Sequence, residues 1–414
     1  MLSHPLIRAL KSFQGNARAC VFTEPMWGIP YNLYAPYISV YMLALGLKDS
    51  QIGMVTSVGL TFQIFASLLS GIITDKMGRK RATLFYDLLS WSIPTLIWAA
   101  AQDFNYFLAA AVVNSLWRIT SNSWTCLMVE DTDENQLVDI YTWVYISGLL
   151  SAFFAPLAGL LVQSYSLVPT MRGLYLFACL MMTAKFLVLN IYVKETRQGE
   201  IRMRETQGQS ILVLLKEYQG VIRAIFKTPR TLFTLGIMLV LGISQSVNGA
   251  FWSILVTTRL NIPNEHLSIF AFSRSVVMLV FFFTMMPMIR EMRFRNPMLA
   301  GFAGFVLAQL ILITMPAGNY ALLLLSVLLE ACSLATLGTQ MDRMIIVTVD
   351  AAERARIQGF LYMVVILFTS PFGWIAGSLS EINRTLPFVL NTGLFAAGAV
   401  LVYLASRNHR TVSS

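Results

Sequence analysis

Long apolar runs separated by short polar turns dominate the chain, at residues 19–44, 51–73, 82–101, 106–129, 142–163, 172–193, 230–257, 267–288, 297–316, 319–341, 356–379 and 386–405. At a rise of ~1.5 Å per residue, a run of ~20 residues spans the ~30 Å hydrocarbon layer of a bilayer. The pattern predicts an all-α membrane protein of twelve transmembrane helices.

A polar stretch at 194–209 separates the first six runs from the last six. It leads into Ile211, Leu214, Leu215, Tyr218, Val221, Ile222 and Ile225 at helical spacing, with Lys216, Arg223 and Lys227 at other positions. This is the signature of a helix lying flat at the membrane interface, with its apolar face in lipid and its basic groups toward anionic headgroups. The expected organisation is an N-terminal six-helix bundle at 1–197, a linker at 198–228 and a C-terminal six-helix bundle at 229–414. A faint repeat relates the halves, since Asp131 and Glu134 before the fifth run match Asp350 and Glu353 before the eleventh, and Tyr141 matches Phe360. Two pseudo-symmetric bundles of this kind follow from duplication.

Composition reinforces the membrane reading. Hydrophobic residues make up 56% of the chain and charged residues 12%, whereas a soluble domain carries about 25% charge. The net charge of +9 lies in short clusters between apolar runs, not in one basic stripe, which excludes nucleic acid as a partner. Lys48, Arg172, Arg259 and Arg384 are the basic residues of one set of loops, Arg118, Lys185 and Arg274 lie within runs, and the rest crowd the other loops and both ends. By the positive-inside rule both termini are cytoplasmic, and the protein is expected in the cytoplasmic membrane. Cys20, Cys126, Cys179 and Cys332 all fall inside runs without metal-ligand spacing, so neither a disulfide nor a metal site is expected. The full-length first run without a small-residue cleavage site argues against a removable signal peptide.

One turn carries the most specific motif. Between the second and third runs stand Gly71, Asp75, Gly78, Arg79, Lys80 and Arg81. The glycines permit close helix approach and a sharp bend, and Asp75 and Arg79 are spaced to pair on a helical turn. Residue by residue this resembles the signature between helices 2 and 3 of the major facilitator superfamily of secondary transporters. The resemblance implies the two-bundle fold and a turn that packs near helix 11 of the opposite bundle to hold the cytoplasmic side shut. Gly71, Asp75, Gly78, Arg79 and Arg81 are then a conformational latch. The matching turn of the second half, Ile289-Arg290-Glu291-Met292-Arg293-Phe294-Arg295, keeps its bases but lacks the glycines and the aspartate, so a single latch is expected.

Charges inside the runs are the next signal, because an ionised side chain at bilayer depth costs at least ~2.5–3.5 kcal/mol and persists where it faces a cavity or a partner. Glu24, Arg118, Lys185, Arg274 and Glu330 occupy runs 1, 4, 6, 8 and 10. In the resembled family, helices 1, 4, 7 and 10 surround the cavity and helices 2, 5, 8 and 11 flank it. Counting from the helix ends puts Arg274 ~11 Å and Glu330 ~17 Å below the outer surface, within reach of each other, and Glu24 ~8 Å and Arg118 ~17 Å above the inner one, a wider mismatch. Either these are structural salt bridges, or Glu24 or Glu330 binds a proton reversibly and its charge selects the conformation. Arg118 resembles the helix 4 arginine of proton-driven members, although Ile119-Thr120-Ser121-Asn122-Ser123-Trp124 replaces the glycines that usually follow. Lys185 is close enough to its helix end for its ammonium to snorkel outward and receives no role.

Trp27, Tyr31 and Tyr34 share a helical face with Glu24, in a helix interrupted by Pro25, Pro30 and Pro36. With Gln245, Asn248 and Trp252 of helix 7 and Asn122 beside Arg118, they make the candidate lining of an aromatic, moderately polar site. Ala155-Pro156-Leu157-Ala158-Gly159 on helix 5 resembles a worn form of the pattern found in exporting antiporters, which points toward export. Lys194-Glu195-Thr196 resembles the string that closes helix 6 in sugar and drug members.

The resulting expectation is a secondary transporter, functioning as a monomer without cofactor, that moves a small or amphipathic organic solute by alternating access coupled to protons. A lipid or lysolipid flippase of the same fold and a proton-coupled sugar or organic-anion importer remain alternatives. An enzyme is disfavoured, since His4, His266 and His409 all lie outside the runs and no catalytic constellation or phosphate-cradling loop is present.

Overall fold

The computed structural model describes residues 5–133, 136–210, 229–285, 295–348 and 354–408. The interfacial segment 211–225, the turn residues 289–294, and Glu134, Asp350 and Glu353 lie outside the described residues. After a short helix Pro5–Ser12, the first transmembrane helix runs through Gly15–Thr23, Pro25–Tyr34, Ala35–Tyr37 and Ile38–Ala44. The second is Asp49–Met77, the third Arg79–Asp87, Leu88–Ser92 and Ile93–Ala100, and the fourth Phe104–Asn114 and Trp117–Val129. The fifth comprises Leu137–Ser151, Ala152–Phe154 and Ala155–Tyr165, the sixth is Leu167–Tyr192, and a polar helix Arg197–Glu205 follows. The seventh to twelfth are Pro229–Thr258, Leu267–Thr284, Arg295–Thr314, Tyr320–Thr348, Arg354–Ile382 and Leu386–Asn408.

Among the described residues, nine helices are long and apolar enough to cross a membrane as continuous elements. The first, third and fourth are broken into shorter pieces, and proline explains two of the breaks. Pro25 cannot donate to Val21, whose carbonyl instead accepts from the Glu24 amide at 3.4 Å. Ahead of Pro94 the third helix widens into a π-turn over Leu88–Ser92. The carbonyl of Ser90, four residues before the proline, is satisfied from outside by Asn114 Nδ2 of the fourth helix at 2.8 Å. In the eleventh helix Pro371 is accommodated without a break, because Ser370 Oγ donates to the Leu367 carbonyl at 3.0 Å.

Two compact units result, one of Met1–Ile38 with Thr61–Glu217 and one of Ser39–Leu60 with Tyr218–Ser414. In the first, Phe13, Ala17, Cys20, Val21, Leu127, Met128, Ile140 and Leu189 form a buried cluster. In the second, Phe302, Phe305 and Phe395 centre a larger core with Leu337, Leu361 and Val365, and the Phe305 and Phe395 rings stack at 4.4 Å. The same unit contains a backbone-to-backbone approach of the second and eleventh helices. A Cβ on Gly53 would lie 2.2 Å from the Gly373 carbonyl oxygen, and one on Gly377 would lie 2.6 Å from that of Asp49. Beside it the buried Asp49 carboxylate accepts from Ser380 Oγ at 2.6 Å and Arg384 Nε at 3.2 Å.

Candidate functional site

The turn between the second and third helices is the most densely bonded part of the first unit. Asp75 ends one helix and Arg79 begins the next, and they pair at 2.9 Å as their spacing predicts. The guanidinium of Arg79, 5% exposed, also donates from Nε to both Glu130 oxygens at 3.1 and 3.0 Å and from Nη2 to Glu130 Oε1 at 3.0 Å. Glu130 closes the fourth helix and accepts from Thr196 Oγ1 at 2.5 Å. The other Asp75 oxygen accepts from Arg202 Nε and Nη2 at 3.1 and 3.0 Å. These bonds hold the Arg202 guanidinium above its ordinary pKa.

Glu195 caps the third helix, accepting from the backbone amides of Arg79 at 2.8 Å and Lys80 at 3.0 Å. Gly78 is required here twice over. Its φ of 82° is a conformation that side chains disfavour, and a Cβ would meet Glu195 Oε2 at 2.6 Å and Met203 Sδ at 2.8 Å. Gly71 lies half-buried within the second helix and Arg81 is exposed. The partners of Asp75 and Arg79 described here belong to the turn's own unit, at the ends of the fourth and sixth helices and on the helix Arg197–Glu205.

The membrane charges of the first unit combine differently from the expectation. Glu24 pairs with Lys185 at 3.4 Å, and the lysine side chain is 6% exposed. Lys185 therefore does not snorkel. Its ammonium lies 5.5 Å from the Trp124 ring and 5.4 Å from that of Phe186, drawn inward by a carboxylate on the adjacent first helix. Arg118 receives Gln63 instead of Glu24, with Nε donating to Gln63 Oε1 at 3.1 Å and the guanidinium 4.2 Å from the Trp117 ring. Asn122 donates to Thr74 Oγ1 at 3.2 Å.

The aromatic stripe of the first helix packs onto the third and sixth helices. Trp27 stacks on Tyr31 at 4.8 Å, Trp91 meets Trp27 edge-on at 5.0 Å, and the buried Tyr34 touches Tyr175 at 4.9 Å. Sequence spacing could place these rings on one face but could not say which neighbours that face meets.

In the second unit the depth argument predicts an Arg274–Glu330 contact, and the two lie 3.2 Å apart. Glu330 is 5% exposed in the tenth helix and also accepts from Asn248 Nδ2 at 3.1 Å. Asn248 is the hub of this polar layer. Its Oδ1 accepts from Asn391 of the twelfth helix at 3.2 Å and faces Gln309 of the ninth at 3.5 Å. Gln245 is exposed one helical turn before Asn248. Trp252 contacts the Phe270 ring at 6.0 Å and keeps its indole N–H without a hydrogen-bond partner among the described residues. Gln63, Glu130, Arg202, Gln309 and Asn391 carry no recognisable signal in the sequence. Glu195 stands within the recognisable string Lys194-Glu195-Thr196.

Comparison with known proteins gives concordant results. The multidrug resistance protein MdtG of Serratia proteamaculans (strain 568) is 30% identical over 175 residues, 41% of this chain and 41% of that protein's length. The quinolone resistance protein NorA of Staphylococcus aureus (strain MSSA476) is 21% identical over 387 residues, covering 91% of this chain and 93% of that protein. The crystal structure of the nucleoside transporter NupG superposes with a TM-score of 0.72 at 16% identity, covering 95% of this chain and 99% of the other. The MFS_1 like family matches residues 32–384, and with that span and the twelve-helix fold the chain belongs to this family of major facilitator superfamily transporters.

Proposed function

We propose that the protein is a proton-coupled secondary transporter that exports a small amphipathic organic solute across the cytoplasmic membrane by alternating access. The observation that carries this reading is Glu330, a carboxylate buried in a transmembrane helix and bonded to Arg274 and Asn248. A carboxylate at such depth persists where its charge state serves function. Loss of its charge would remove the ionic attraction for Arg274, so the charge of this carboxylate and the arrangement of the eighth and tenth helices are linked. Trp252 and Gln245, on the same helix as Asn248, supply apolar area and a polar contact for an amphipathic solute.

Export is favoured by the resistance proteins among the relatives, MdtG and NorA, and by the worn proline-glycine pattern of the fifth helix. In this reading Gly71, Asp75, Gly78, Arg79 and Arg81 serve as the latch, both termini face the cytoplasm, and the bundles are 1–197 and 229–414 joined through 198–228. Glu24, Trp27, Tyr31, Arg118 and Asn122 are the candidate binding residues of the first bundle, and a monomer is the working unit.

Flux into proteoliposomes tests the proposal with a panel of cationic dyes, sugars and lysolipids, each measured with and without an imposed pH gradient. The expected result is gradient-dependent movement of an amphipathic solute that Glu330→Gln uncouples from the gradient. Equal flux with and without the gradient, together with wild-type behaviour of Glu330→Gln, overturns proton coupling through this residue. Movement confined to lysolipids replaces the solute reading with the flippase.

A further inference from the structure

A groove of about 710 Å³ opens on the first unit where the third helix begins and the sixth ends. On the third helix it is walled by Arg81, Leu84, Phe85 and Leu88, whose helical spacing puts them on one face. That face passes from charge to hydrocarbon along the helix axis, with Phe85 ~6 Å beyond Arg81 and 53% exposed. Across the groove stand Asn190, in the last turn of the sixth helix, and Lys194 just after it. Leu187 and Ile191 on neighbouring positions are exposed as well, so the apolar wall continues onto the sixth helix.

Three basic side chains, Lys80, Arg81 and Lys194, line this one groove. None of them has an ion-pair partner among the described residues. Two of their backbones are nevertheless fixed: the Lys80 amide donates to Glu195 at 3.0 Å, and Lys194 exchanges two bonds of 2.9 Å with the Asn16 side chain. Glu195 itself also lines the groove, but its oxygens are turned to the amides of Arg79 and Lys80. The exposed Glu200 is then the single carboxylate set against three bases.

Like charges gathered on one wall repel unless an anion is held between them. A soluble phosphate would answer the bases and leave the leucine and phenylalanine wall without a partner, whereas a lipid answers both. We propose that this groove binds an anionic phospholipid, its phosphate held by Lys80, Arg81 and Lys194 and its acyl chain laid along Leu84, Phe85 and Leu88. Basic pockets between transmembrane helices at the interface take such headgroups. The Asn190 side chain, one turn deeper than Lys194 and without a hydrogen bond among the described residues, supplies an N–H donor for a glycerol ester carbonyl, the group that follows the phosphate into the membrane. A lipid seated there joins the start of the third helix to the end of the sixth, so the makeup of the surrounding leaflet reaches the turn that holds Asp75 and Arg79. The site stands whatever solute is carried and whichever ion drives it.

The test is native mass spectrometry of the full-length protein released from detergent micelles, titrated with phosphatidylglycerol, phosphatidylethanolamine and phosphatidylcholine of matched acyl chains. Wild type is expected to retain one phosphatidylglycerol more tightly than either zwitterionic lipid. Lys80→Gln combined with Lys194→Gln should weaken that binding about 30-fold, at about fivefold per base near an anionic surface, and leave phosphatidylcholine binding unchanged. Lys80→Arg combined with Lys194→Arg should keep the affinity, which separates lost charge from a damaged fold. Arg8→Gln combined with Lys11→Gln removes two exposed bases of the helix Pro5–Ser12, outside the groove, and should bind as wild type. Equal affinity for the three lipids, or equal weakening by the Arg8 and Lys11 pair, overturns the proposal. Displacement of phosphatidylglycerol by an equal concentration of glycerol phosphate overturns it too, and makes the groove a site for a soluble phosphate.

Discussion

Replacing Gly78 by alanine probes the turn between the second and third helices at its least tolerant atom. The backbone at Gly78 has φ 82° and ψ 158°, a region left almost entirely to glycine, and holding alanine there costs ~1–3 kcal/mol. The new methyl would also stand 2.6 Å from Glu195 Oε2, so the carboxylate must withdraw from the amides of Arg79 and Lys80. Loosening two bonds to a half-buried carboxylate adds ~1–2 kcal/mol, giving ~2–5 kcal/mol in all. Glu195→Ala alone removes the same bonds and should cost ~2–3 kcal/mol. With Glu195 already truncated, Gly78→Ala retains its backbone strain and its contact with Met203, and the double mutant should fall ~1–2 kcal/mol short of the sum. Unfolding in mixed detergent micelles titrated with a denaturing detergent measures all four proteins. Additivity within ~0.5 kcal/mol would refute the claim that Gly78 is small because Glu195 must approach the helix end.

Four further substitutions probe other contacts. Asn114→Leu leaves the Ser90 carbonyl without its donor and should destabilise by ~1–3 kcal/mol. Pro94→Ala, which restores a backbone donor, should recover part of that loss in a thermal melt. Asp75→Asn should reduce flux while leaving expression largely intact and lowering stability by ~1–3 kcal/mol, since one partner, Arg202, is one-third exposed whereas the other, Arg79, is buried; unchanged flux would count against a latch role. Asp49→Asn weakens the pair with Arg384, which is about one-third exposed, and should lower stability by ~1 kcal/mol, with the difference from wild type shrinking at high salt.

The helical runs were legible because each had to solve the same problem, hiding its backbone from lipid, and hydropathy records that solution directly. The pairing of Asp75 with Arg79 was legible from spacing along one helical turn. That of Arg274 with Glu330 was legible from depth, as two long side chains at similar height on neighbouring helices can meet. Depth was insufficient for Glu24. Its partner depends on how the first helix is rotated about its axis, and that rotation is set by packing of Trp27 and Tyr34 against the third and sixth helices. Glu130 and Glu195 sit at the ends of their runs, where sequence cannot separate a solvated acid from one folded back onto a neighbouring helix.

Asn114 gives the bend in the third helix a second owner. A proline bend whose free carbonyl is answered within its own helix, as Ser370 does for Pro371, is a self-contained hinge that can flex while its neighbours stand still. At Ser90 the donor sits on the fourth helix, so straightening the third strands a carbonyl unless the fourth slides with it. The two helices are geared together, and a movement begun at Trp91 would be handed, through one amide group, to the helix that carries Arg118.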